Sequence, residues 1–141
     1  MDERYPIGET ESVWLAVLRH DREEGYRRWS VAVGLRGGEG TLHVPGHYPS
    51  VLARRLRMAD TRFAPGARAT RDEFLDLTAL VRDGDETLAV SSSARLPVRV
   101  TIEVPRDELG AVARLLDDAQ QLIEELRQGL GAVPDSVPEV F

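Results

Sequence analysis

The chain has no cysteine, no lysine and no asparagine. Without cysteine there are no disulfides, no thiolate nucleophile and no zinc–sulfur centre. Without lysine there is neither a phosphate-loop lysine nor a Schiff base. All eighteen basic residues are therefore arginine, which fits a GC-rich coding bias. Runs of membrane-spanning length are also missing, and MDERYPIGET lacks the basic-then-apolar pattern of a signal peptide. These gaps lead us to expect a cytoplasmic protein without membrane contact.

What is present is ordinary for a globular domain: 141 residues, 42% hydrophobic and 30% charged. The charge is uneven. Residues 1–71 hold twelve arginines against nine acids, and residues 72–141 hold six against fifteen. The overall charge of −6 disfavours a general nucleic-acid binder. A basic first half still leaves room for a local site.

One stretch is written twice. Thr41–Asp60, TLHVPGHYPSVLARRLRMAD, aligns without gaps on Thr101–Gln120, TIEVPRDELGAVARLLDDAQ, with seven of twenty positions identical. Unrelated segments share about one or two. Both copies read as strand, proline stop and helix, which points to an internal duplication.

Around this pair, Val13–Arg19 is a short apolar run and Trp29–Leu35 alternates, so both are expected strands. Phe74–Val81 and Thr87–Ser92 follow in the second half, joined by a hairpin turn at Asp83–Gly84, and Leu96–Val104 alternates as a strand. Phe74, Leu75 and Leu77 stand at the offsets of Trp14, Leu15 and Val17. The last helix carries apolar residues at Leu109, Val112, Leu116, Ala119, Ile123 and Leu126, widened by Leu115 and Leu122.

The expected organisation is a flexible arm at 1–10, one domain over 11–130, and a proline-containing tail at 131–141. The domain comprises repeats 11–60 and 72–130 with a linker at 61–71. The fold class is α+β, a tandem βββα duplication forming an antiparallel sheet with helices packed against it. In order of elements it resembles the whirly and PUR-type single-strand nucleic-acid binders. It also resembles the SsgA-like division and sporulation proteins of actinobacteria. The resemblance implies a whirly/PUR-like topology and carries over no site residue.

Candidate chemistry is sparse. His43 and His47 are four apart, but His43 belongs to a strand and there is no evident third ligand, so a surface-histidine reading is preferred. GLRGGEG at 34–40 lacks the spacing of a nucleotide loop and reads as a hairpin turn. Ser91–Ser93 with His20 as base lacks a nucleophile-elbow pattern. No catalytic residue, cofactor or metal is assigned.

The arginines are denser. Arg54, Arg55, Arg57, Arg62, Arg68 and Arg71 cluster, and Arg27 and Arg28 stand beside Tyr26 and Trp29. Arginine interleaved with aromatic rings is the composition of single-strand binding surfaces. The plainer alternative is that Trp29 is core and the arginines solubilise a helix or pair with the acidic half. Finally, the last helix continues its apolar stripe past the repeat through Leu122, Ile123 and Leu126, a candidate self-association surface.

The expected function is that of a non-enzymatic binding or regulatory protein working through protein–protein contact and self-association, its protein partner unidentified. The alternative is a single-stranded nucleic-acid binder using the arginines of the first half. An enzyme acting on a small molecule ranks third.

Overall fold

The structure is a computed structural model. It describes residues 3–21, 23, 28–38, 40–66, 68–71, 75–92 and 100–131. It is α+β, with two antiparallel four-stranded sheets and two helices. Sheet 1 runs in chain order through β1 (Glu3–Glu9), β2 (Val13–Arg19), β3 (Trp29–Leu35) and β4 (Thr41–Pro45), and helix α1 (Pro49–Thr61) follows. Sheet 2 repeats that order with β5 (Arg68–Arg71), β6 (Leu75–Arg82), β7 (Asp85–Ser92) and β8 (Thr101–Pro105). A 3-10 turn at Arg106–Glu108 then leads into α2 (Leu109–Gly131). No helix among the described residues is long and apolar enough to cross a membrane.

Two expectations are corrected. The flexible arm is β1, paired antiparallel with β2. Pro6 and Gly8 hid it. Proline is tolerated because β1 is an edge strand, and the register slips between Pro6 and Gly8 at a bulge. The linker contains β5, paired with β6 and bulged between Arg68 and Thr70. Each sheet therefore has four strands, not three. Residues 72–74, 93–99 and 132–141, on which parts of the expected strands and the tail fall, lie outside the described residues.

The pairing also moves the internal correspondence. The core-facing residues Val13, Leu15 and Val17 of β2 answer to Leu75, Leu77 and Ala79 of β6, an offset of sixty-two. For β3 and β7 the offset is fifty-seven, Val31 answering to Leu88. It returns to sixty at β4 and β8. The offsets differ because the connection at 20–28 is longer than the Asp83–Gly84 turn, and that at 36–40 shorter than 93–100. The turn itself is as expected: Asp83 and Gly84 both have positive φ, at 51° and 87°, as a two-residue hairpin requires. With the offset of sixty-two, the bulges of β1 and β5 fall at the same place in their sheets.

Both helices bury one stripe. Leu52, Ala53, Leu56 and Ala59 of α1 and Val112, Ala113, Leu116 and Ala119 of α2 are at most 5% exposed. They join the inward sides of both sheets in a single core. The helices run antiparallel, as three polar links show. Arg106 Nε donates to Asp60 Oδ1 at 3.1 Å, Arg57 pairs with Asp117 at 2.8 Å, and Gln120 Nε2 donates to the Gly46 carbonyl at 3.0 Å. Beyond Gln120, α2 continues for residues 121–131, about 16 Å at 1.5 Å per residue. Its other flank packs on β1 and β2. There Glu108 meets Thr10 and Ser12, and a Cβ on Gly8 would stand 2.9 Å from Leu115.

Candidate functional site

The arginine cluster separates in space. Arg54 and Arg57 lie on the exposed side of α1 near Met58, which is 50% exposed, and the exposed Arg62 follows the end of the helix. Arg57 is neutralised by Asp117 on α2, the pairing with the acidic half that the sequence suggested. Arg55 stands over the ring of Tyr48 at 5.9 Å. Arg28 Nε donates to the Glu23 carbonyl at 2.9 Å and so ties the end of the β2–β3 connection. Arg27 and the side chains of Arg68 and Arg71 lie outside the described residues.

Trp29 is 3% exposed and tilts against Tyr5 with ring centroids 6.4 Å apart. It belongs to the core, so it is no partner for surface arginines. The surface ring is Trp14, on the opposite side of sheet 1. Its indole lies against Gly34, where a Cβ would come within 2.4 Å of ring atoms. The Arg4 guanidinium stands 5.0 Å from the ring centroid. Glycine at position 34 thus makes room for the ring and owes nothing to a phosphate loop. Gly37 and Gly40 serve backbone needs, with φ of 76° and 88°.

On that same side, His20 Nε2 is 2.8 Å from Ser30 Oγ. His20 thus engages Ser30, and Ser93 lies outside the described residues. Ser91 Oγ is 2.8 Å from Thr101 Oγ1, and Ser92 Oγ accepts from the Val100 amide. Burial, followed by the nearby His20, lowers the pKa of His43. A base kept neutral near pH 7 is compatible with ligation, yet no group of three potential metal ligands occurs among the described residues.

An open cleft of about 800 Å³ lies where the two halves meet, lined by Glu11, Asp60, Asp85, Glu86, Asp107 and Arg106 among others. Arg106 organises it. The guanidinium pairs with Glu86 at 2.9 Å and Asp60 at 3.1 Å, and stacks 4.8 Å from the Phe63 ring centroid. Glu86 and then Asp60 raise its pKa. Glu108 closes one end. Burial pushes its carboxyl up, but hydrogen bonds from the Thr10 hydroxyl and from the Ser12 hydroxyl and amide outweigh this and hold its pKa below the usual 4.5.

A depressed carboxylate stabilises the fold above its unfolded pKa, and that stability is lost as pH falls through the folded value. Thermal unfolding should therefore lose stability below about pH 4.5, and Glu108→Gln should flatten that loss. An unchanged acid slope in the variant would show that the carboxylate does not contribute.

The self-association residues divide. Ile123 is 0% exposed within the single chain and belongs to its core, so it needs no second subunit to cover it; α2 as a whole packs on β1 and β2. Leu122 and Leu126 are half-buried and pack against that core. Tyr5 and Ile7 of β1 and Leu115 of α2 share this half-buried state. Sequence reading missed these three as a group because β1 was not recognised.

No protein-family model matches the chain, and no curated protein sequence matches it either.

Proposed function

We propose that the chain is a non-enzymatic binding and regulatory protein of the cytoplasm that self-associates and engages another protein. The observation that supports it is the seam between edge strand β1 and α2. Tyr5 and Ile7 of β1 and Leu115, Leu122 and Leu126 of α2 are half-buried apolar side chains on the elements that meet there, and Gly8 of β1 lies against Leu115. β1 also pairs only with β2 among the described strands, so its other side is an edge. Apolar side chains beside an open edge make the kind of surface that a second copy covers, sheet edge to sheet edge and helix to helix about a twofold axis. In the same reading the two halves are copies of one ββββα unit in a whirly/PUR-like arrangement. The matched bulges and the shared helix stripes support this.

Light scattering at micromolar concentration tests the proposal. The wild type should give the mass of at least two chains. Leu122→Glu combined with Leu126→Glu should give one chain with an unchanged circular dichroism spectrum. A single-chain mass for the wild type would sink self-association.

A further inference from the structure

The open side of β1 carries a self-complementary pattern. The Thr10 amide donates to the Val13 carbonyl at 2.7 Å. Bonded and non-bonded pairs alternate along an antiparallel ladder. Glu3, Tyr5 and Gly8, opposite Arg19, Val17 and Leu15, therefore bond to β2, while Arg4 and Glu9 turn their amide and carbonyl groups to the open side. The side chains of Arg4 and Glu9 share one face, because their partners Leu18 and Trp14 stand four apart on β2. The bulge between Pro6 and Gly8 brings an even and an odd position onto that face. Arg4 is exposed, lies over the Trp14 ring at 5.0 Å, and pairs with no carboxylate among the described residues. The Glu9 side chain is 58% exposed and loosely engaged by Arg36, at 3.8 Å.

We propose, resting on the self-association read from the seam, that β1 pairs antiparallel with β1 of a second copy in the register that sets Arg4 opposite the partner's Glu9. A twofold axis between Pro6 and Ile7 then sets Glu9 opposite the partner's Arg4 as well. Opposite charges at positions related by a twofold are what a strand needs to pair with itself. Pro6, which has no amide hydrogen, faces the partner's Ile7 and forfeits one ladder bond there. On the other face the same register puts Tyr5 opposite the partner's Gly8. A Cβ on Gly8 would stand 2.9 Å from Leu115, so Tyr5 comes beside the partner's Leu115 and joins the two seams. A slip of one residue turns the side chains to the wrong faces, and a slip of two loses both ion pairs.

Charge reversal tests the register on the full chain. Sedimentation equilibrium gives dimer dissociation constants for the wild type, Arg4→Glu, Glu9→Arg and the variant carrying both. Each single reversal sets like charges together twice per dimer and should raise the constant about tenfold or more. The double variant restores opposite charges and should return close to the wild type. Mixed with isotope-labelled wild type, it should form few mixed dimers in native mass spectrometry, because each mixed pair sets like charges together. Both side chains are exposed, and matching circular dichroism spectra confirm that the variants fold. A dimer whose constant neither reversal alters, or a double variant no tighter than the singles, would overturn the register and leave self-association standing. A wild type of single-chain mass would instead remove the second copy, and the register with it.

Discussion

Ile123→Glu is expected to unfold the protein. Ile123 is fully buried in the core, and a carboxylate there would be withdrawn from water. An unpaired buried charge costs about 3–5 kcal/mol. The lost apolar contact adds about 1.5–3 kcal/mol. Together these approach the whole stability of a small domain, about 5–15 kcal/mol. The same substitution at half-buried Leu122 or Leu126 leaves the carboxylate access to water and should cost far less. Urea unfolding compares the three. Cooperative unfolding of Ile123→Glu near the wild-type midpoint would show that this face of α2 is not core.

Leu116→Ala and Leu56→Ala should each cost about 2–5 kcal/mol, as full truncation of a buried leucine does. The two occupy the same place in the repeated stretch, at 0% and 1% exposure. Each stands on the inward stripe of its helix, in the shared core. The costs should be similar, and because both cavities open in one core they need not add. A loss under half a kilocalorie for either, measured by urea midpoint at constant slope, would mean that its helix face was misassigned.

The parts of the fold legible in the sequence were those with strong periodicity. The strand–proline–helix segments were found because apolar residues recur at helical spacing in both, and the Asp83–Gly84 turn because its residues accept positive φ. β1 was illegible because Pro6 and Gly8 look like loop residues, and only its position at a sheet edge makes them tolerable. β5 is four residues long and follows Pro65 and Gly66, which mask it as linker. The offsets of sixty-two and fifty-seven in the strands come from unequal connections that an ungapped alignment does not follow.

The candidate sites were less legible still. VWLAVLR offers apolar residues on both faces, so nothing local says that Leu15 points inward and Trp14 outward. The alternation around Trp29 was clearer and correctly allowed a core position for it. Ile123 reads as surplus apolar surface because the strands on which α2 packs, β1 and β2, lie about a hundred residues earlier in sequence. The Arg57–Asp117 pair and the Glu108 contacts are likewise long-range and leave no local pattern.

The central claim is that the β1–α2 seam meets a second copy. Because the chain has no cysteine, one introduced at Leu126 is unique. The Leu126→Cys protein, treated with a short bismaleimide at micromolar concentration, should yield a covalent dimer in high amount. The Arg54→Cys protein, with its cysteine on the exposed side of α1, should yield little. Little dimer from Leu126→Cys, or equal yields from the two, would contradict the claim.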